Sequence, residues 1–402
     1  MLKHWVWLTT RKGIGIRGRA ALLRLFDTAE TIYEMSERDY LQTEGFDRRW
    51  LESLLDKSLD AAQEILTRCD DEDIRLLTYA HFAYPERLKN IADPPAVLYY
   101  QGTLPDFDNE AVIGIVGSRK CSAYGLLHAK QFSKLISGSG GIVVSGGARG
   151  IDTMSLRGAL DSPMPIVCVV GNGLDIHYPP ENRFLFREIR AHGCMISEYP
   201  PGTRPERGNF PVRNRLISGL SLGVLVVEAP ERSGALITAN HALEQGRDVF
   251  AIPGNLGVKH CEGSNRLLRD GAIMAENGWD VLSQYTHLFP NKLADARSKE
   301  VLQKLFDLRY AQALPVYSPV TIGDNGVKEQ TQETPKKPAP QLTADERAVL
   351  SLLSNEAVSI DTLVIEANLP SQRVLAAITM LQIKGLAQKL PGNRCCLREA
   401  TL

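Results

Sequence analysis

Between residues 111 and 287, short and almost wholly apolar runs alternate with longer stretches of helical periodicity, and few folds accommodate that pattern. The runs are 112–116, 141–145, 165–170, 195–197, 223–227 and 248–252; stretches such as 126–137, 183–191 and 238–245 lie between them. A strand with one wet face alternates apolar and polar residues, whereas a strand apolar throughout is covered on both faces. The alternation therefore predicts an α/β fold, a doubly wound and mostly parallel sheet, with ligands bound at the carboxyl ends of its strands.

Glycine turns sit at those ends. Gly117-Ser118-Arg119 closes the first run, and Ser145-Gly146-Gly147-Ala148-Arg149-Gly150-Ile151-Asp152 the second. Gly171-Asn-Gly-Leu-Asp175 follows the third and precedes Tyr178-Pro179. A glycine there lets a ligand approach the backbone, and a following helix N-terminus favours an anion. Asp152 reads equally as a helix cap or as a pocket residue. Ser233-Gly234 through Thr238 brings hydroxyls to another helix start, and Gly263-Ser264-Asn265 is a further candidate. No G-x-x-x-x-G-K-[ST] phosphate loop is present, and no G-x-G-x-x-G occurs at the first turn.

The segment Asn209-Phe-Pro-Val-Arg-Asn-Arg215 adds a ring for stacking. Arg204, Arg207, Arg213 and Arg215 surround Phe210, with Glu206 the one acid among them and Asn209 and Asn214 as amides. The sequence reads as a loop stiffened by proline. Its bland reading is a solvated loop around one buried phenylalanine. Its functional reading is a surface for a nucleotide polymer, since base stacking on an aromatic ring tolerates any base.

The flanks read as separate domains. Residues 1–72 have helical spacing, with a glycine turn, Gly13-Ile14-Gly15, that suits either a plain helical turn or a helix-hairpin-helix. Residues 73–290 form the main domain, with two further strands in 74–100 as its lead-in. Residues 291–340 read as a helical tail and a Lys-, Gln-, Glu-, Thr- and Pro-rich linker. In 341–402 a capping box at Thr343–Glu346 opens the first of three expected helices, the third being 371–384, and a strand pair turns at 391–393. That is a winged-helix layout, although Arg373, Lys384, Lys389 and Arg394 are few cations for a DNA-reading domain. Protein contact and weak DNA contact fit that domain equally well.

A net charge of -1 gives no global attraction to nucleic acid, so binding must come from a local basic patch. Seven cysteines without a C-x-x-C pair, and eight scattered histidines, suit a reduced, cytoplasmic protein without a structural metal. No apolar run reaches the roughly 18 residues of a membrane span.

Gly117-Ser-Arg119 with Tyr124-Gly125, 145–152, Tyr178-Pro179, Ser197-Glu198, 209–218, 233–239 and 245–254, taken in that order, resemble the DNA-processing protein A (Smf) family. The resemblance implies an extended Rossmann-like domain, a SAM- or helix-hairpin-helix-like domain before it and a winged helix after it. It also implies a protein that binds single-stranded DNA, protects it and helps load the RecA recombinase in natural transformation. Such a protein would form a homodimer through the Rossmann domain and have no cofactor and no catalytic activity. Carried over by position, Arg119 binds phosphate, Phe210 stacks on a base, Thr238 lies in the same pocket, and Arg207 stands where the family has lysine. The DNA-binding set expected on all these grounds is Gly117, Ser118, Arg119, Gly146, Gly147, Arg149, Gly150, Arg207, Asn209, Phe210, Arg213, Asn214, Arg215, Ser233, Gly234 and Thr238. The competing reading is an enzyme, because nucleotide phosphoribohydrolases share a related fold. Their Pro-Gly-Gly-x-Gly-Thr-x-x-Glu turn is missing, and Pro253-Gly-Asn-Leu-Gly257 lacks the second glycine and the Glu. Glu198 and Glu228 remain as candidate acids or bases. A protein scaffold with a vestigial pocket leaves the arginine–phenylalanine set unexplained.

Overall fold

The computed structural model describes residues 2–297 and, further along, 344–353, 358–367, 373–374, 377–378, 380–381, 387–390 and 394–397. It divides into two compact units, Met1–Val316 and Tyr317–Leu402.

The first unit is organised around one sheet. Its strands are β1 (Arg75–Thr78), β2 (Val97–Gly102), β3 (Val112–Val116), β4 (Ile142–Ser145), β5 (Ile166–Val170), β6 (Gly193–Ser197), β7 (Gly223–Val226), β8 (Asp248–Ala251) and β9 (Ile273–Met274). They lie in the order β1-β2-β6-β5-β4-β3-β7-β8-β9. From β6 to β9 all neighbours are parallel. β1 and β2 extend the sheet antiparallel, so the expected lead-in forms one edge of the sheet itself. The opposite edge, β9, was not anticipated: two exposed residues carry no periodicity to read.

The central strands β3 to β7 are buried on both faces because each face meets its own core. In β3, Ile113 and Ile115 enter one core while Val112 and Val116 enter the other. Helices Ala123–Gly138, Ile151–Ala159 and Arg183–His192 cover the first face, and helices Asn209–Leu220 and Gly234–Glu244 the second. The N-terminal helices join the first core through Trp5, Trp7 and Leu22, alongside Tyr99 of β2. Gly13-Ile14-Gly15 makes the turn between helices Leu2–Thr10 and Ile16–Phe26; Gly13 takes a φ of +76° and Ile14 is buried beneath the turn.

The second unit contains helices Ala344–Leu352 and Ile360–Glu366 and the strands β10 (Val358–Ser359), β11 (Ala387–Leu390) and β12 (Arg394–Leu397). The strands form an antiparallel sheet in the order β10-β12-β11. Val349, Leu363, Ile378, Leu381 and Cys395 form its core. This is a winged helix, with β11 and β12 as the wing and β10 an addition to the expected layout. The cap at Thr343, the wing turn at 391–393 and part of the third helix lie outside the described residues. Arg373, a candidate DNA-facing cation, instead pairs with Asp345 at 2.6 Å. Among the described residues no helix is long and apolar enough to cross a membrane.

One buried ion pair ties the second helical layer to the sheet. Arg215, with its side chain 2% exposed, places Nη2 2.8 Å and 2.9 Å from the two carboxylate oxygens of Glu198. Its Nε lies 3.3 Å from Asp93. Removing Glu198 leaves the buried Arg215 with Asp93 alone, and breaking a buried pair of this kind costs up to about 3–5 kcal/mol. Glu198→Ala should lower the unfolding free energy by that order in urea titrations, and a loss under about 1 kcal/mol would contradict the anchoring role.

Candidate nucleic-acid interface

The strand order reverses beside β3, which has β4 on one side and β7 on the other. In a doubly wound sheet the crevice at such a switch point is the ligand site. Here a cleft of about 640 Å³ opens, lined by Gly117 to Lys120 after β3, Ala148 and Asp152 after β4, and Pro230 and Arg232 to Gly234 after β7. Arg207, Phe210 and Asn214 form a further wall.

The glycine turns are packed against one another. A Cβ on Gly117 would sit 2.5 Å from the Ile151 side chain. Gly150 has a φ of +77°, and its Cβ would come 2.5 Å from the Ser118 carbonyl oxygen. Glu228, 1% exposed at the end of β7, holds the β3 loop from the other side. Its carbonyl accepts from Ser118 N at 2.8 Å, and its carboxylate accepts from Ser122 N at 2.8 Å and Ser122 Oγ at 2.7 Å. A loop fixed this firmly presents the exposed Arg119 at its tip. The Arg119 guanidinium carbon lies 5.0 Å from the centroid of the Phe210 ring.

The segment expected as a stiffened loop is the first turn of helix Asn209–Leu220. Pro211 is compatible with this because first-turn N–H groups have no helical acceptor to lose. Helical spacing then sorts the side chains by face. Phe210 and Asn214, four apart, face the cleft, and Asn214 Nδ2 donates to Gly234 O at 3.2 Å. Arg215 turns away from the cleft, and Arg213 lines it but is buried, so neither is presented as the exposed cation expected. Arg213, 3% exposed, donates through Nη1 to Gly146 O at 2.6 Å and to Val169 O. Arg215 is occupied by Glu198 and Asp93. Both arginines position the helix that carries Phe210.

The other expected residues divide in the same way. Arg207 is exposed on the cleft wall. Ser233 caps helix Gly234–Glu244 by accepting from Ala235 N, and Thr238 is buried in the cleft lining. Gly146 cannot carry a side chain, since its Cβ would meet Asp152 at 2.6 Å and Arg213 at 2.7 Å; Gly147 takes a φ of +67°. Arg149 lies outside the main cleft, with Nη2 3.1 Å from Glu181 Oε2. Asn209 begins the helix, and its carbonyl accepts from the Tyr199 hydroxyl at 3.5 Å. The third glycine turn reaches the site through Gly171, whose Cβ would contact the Phe210 ring at 3.1 Å, and through Tyr178, whose ring centroid lies 5.7 Å from that of Phe210.

Lys120, Arg232, Lys259 and His260 also line the cleft and were not anticipated. Lys120 follows Arg119 directly and Arg232 precedes Ser233, so adjacency to the chosen motifs was the available signal. Lys259 and His260 come from the loop after β8, which only the fold brings here. Glu198 and Glu228, the candidate acids or bases, are both held by protein partners. Among the described residues no group of three or more His, Cys, Asp and Glu is placed to hold a metal ion.

Of its two alternative roles Asp152 takes the pocket one, since Gly150 rather than Asp152 is the N-cap of the helix. It stands inside the first turn of helix Ile151–Ala159, accepts from Ala148 N at 3.3 Å and lines the cleft. Burial pushes its carboxyl from 3.8 up to about 6, against the pull of Arg213, the Ala148 N–H and Arg119. The folded state thus retains this proton longer than the unfolded chain does. Its contribution to stability is complete below about pH 4 and is lost as pH rises through about 6. Asp152→Asn removes the titration, so the stability of the variant relative to wild type should rise by roughly 3 kcal/mol between pH 4 and pH 7. Parallel stability curves for the two proteins in urea titrations across that range would refute this.

Comparison with known proteins identifies the family. The family described as DNA recombination-mediator protein A matches residues 75–286, and the DprA winged helix domain matches residues 333–393. Protein Smf of Synechocystis sp. is 34% identical over 398 residues, 97% of each chain. DNA processing protein DprA of Bacillus subtilis is 40% identical over 220 residues, 55% of this chain and 74% of that one. The X-ray structure of DNA processing protein A from Streptococcus pneumoniae superimposes with a TM-score of 0.63 at 31% identity, covering 71% of this chain and 98% of that chain. With its central domain, its winged helix and nearly its whole length matched, the chain belongs to the DNA-processing protein A (DprA/Smf) family.

Proposed function

We propose that the cleft at the switch point grips single-stranded DNA with little sequence preference, and that the protein works by binding rather than by catalysis. The observation that carries this reading is the Arg119–Phe210 pair set among exposed cations. Arg119, Lys120, Arg207, Arg232 and Lys259 face the cleft with Asp152 as the acid among them, so a chain of phosphates is attracted despite the net charge of -1. A half-buried ring offers a stacking face to any base, and the bases of a single strand are free to reach it. Membership of a recombination-mediator family supports the wider role: protecting incoming strands and helping to load RecA during natural transformation. Cys69, Cys121, Cys168, Cys194 and Cys261 of the first unit form no disulfide, which suits a cytoplasmic setting.

A homodimer through the Rossmann-like domain belongs to the same proposal. Ile273 and Met274 of edge strand β9 are 39% and 54% exposed, and Ile237 and Leu243 of the helix that packs on β7 and β8 are 38% and 59% exposed. A short edge strand flanked by apolar side chains is suited to a self-complementary contact.

Fluorescence anisotropy of labelled single- and double-stranded oligonucleotides over a salt series tests the binding. Phe210→Ala should weaken single-strand binding by about 1–3 kcal/mol. Arg119→Ala should also reduce the salt slope by about 0.7. Equal affinity in wild type and both variants would reject the cleft as the DNA site. For the dimer, Met274→Glu should shift wild-type sedimentation towards monomer, and an unchanged profile would move the contact elsewhere.

A further inference from the structure

Phe184 is 71% exposed in the first turn of helix Arg183–His192, and the fold does not require it there. Leu185, Phe186 and Ile189 supply that helix's buried contacts. Arg187, one turn further on, places its guanidinium carbon 5.5 Å from the Phe184 ring centroid. This repeats the Arg119–Phe210 arrangement of an exposed arginine over a phenylalanine ring. A run of contacts leads from the Phe210 ring to the segment just before Phe184. The Phe210 ring neighbours Tyr178, Tyr178 interacts with Arg149, and Arg149 pairs with Glu181, three residues before Phe184. A 3₁₀ turn at Pro180–Asn182 links Tyr178 to the helix, which puts Phe184 roughly 10 Å further along. That distance is about three nucleotides of stacked strand.

We propose that Phe184 and Arg187 form a second stacking platform for the same single strand, engaged by bases beyond those held at Phe210. The proposal rests on the reading of the main cleft as a single-stranded DNA site. Charge favours a nucleic acid over an apolar protein surface as the occupant. Arg183 is exposed beside the ring, the Arg187 side chain is 68% exposed, and its contact with Glu188 is loose at 3.8 Å. Phosphates flanking a stacked base would find both guanidinium groups.

The test measures binding of labelled oligothymidines of about 3 nucleotides, too short to reach from Phe210 to Phe184, and about 12 nucleotides to the full-length protein by anisotropy. Phe210→Ala should weaken both. Phe184→Ala should weaken the longer one by roughly fivefold or more and leave the shorter one unchanged, while Phe184→Trp keeps wild-type affinity for both. If Phe184→Ala binds the longer strand as wild type does while Phe210→Ala is impaired on both, the platform is overturned and the cleft reading survives. If neither substitution has an effect, both readings fall. If Phe184→Ala spares DNA binding but alters the sedimentation profile, the ring belongs to a protein contact and the platform is again overturned.

Discussion

The binding surface depends on how helix Asn209–Leu220 is held. Arg213 and Arg215 are buried, and a buried guanidinium is tolerable only where the surroundings supply acceptors or counter-charges. Glu198 and Asp93 supply the charge for Arg215, and the carbonyls of Gly146 and Val169 accept from Arg213. These acceptors come from the ends of β4, β5 and β6 and from the segment before β2. The helix is therefore registered against several strand ends at once, and Phe210, on its first turn, inherits that registration.

The same strand ends organise the charge. The loops after β3, β7 and β8 contribute cations, while most nearby carboxylates are occupied elsewhere: Glu228 by Ser122, Glu198 by Arg215 and Glu181 by Arg149. A protein with a near-zero net charge thus presents a local positive surface. The arrangement comes from the sheet topology, because the reversal of strand order parts the helices and leaves the loop tips accessible.

Much of the fold was legible because the central strands of the parallel sheet are apolar on both faces, which few other elements imitate. The glycines were legible as well: Gly117, Gly146 and Gly150 mark positions where a side chain would collide with a neighbouring turn. What composition could not reveal was direction. Arg207, Arg213 and Arg215 look alike in a list of cations, yet Arg207 is exposed on the cleft wall, Arg213 lines the cleft with its side chain buried against Gly146 and Val169, and Arg215 is turned away to Glu198 and Asp93. Reading the block as a loop removed the helical periodicity from view. Lys259 and His260 were illegible for a different reason: they fall between the 245–254 motif and Gly263-Ser264-Asn265, and nothing local shows that the loop after β8 carries them into the cleft. β9 and β10, at two residues each, are set by their neighbours rather than by their own pattern.

The contact between Arg119 and Phe210 also gives the unliganded ring a cover. An aromatic face left open to water invites indiscriminate apolar association, and a guanidinium resting on it discourages that. Any base that stacks on this face must displace the arginine, so the free energy gained is the stacking less a cation–π contact of about 0.5–1 kcal/mol. The displaced guanidinium is then free, beside the newly arrived nucleotide, to meet its phosphate. On the proposed reading, occupation of the ring and capture of the backbone would be one exchange, made by a single side chain changing partners.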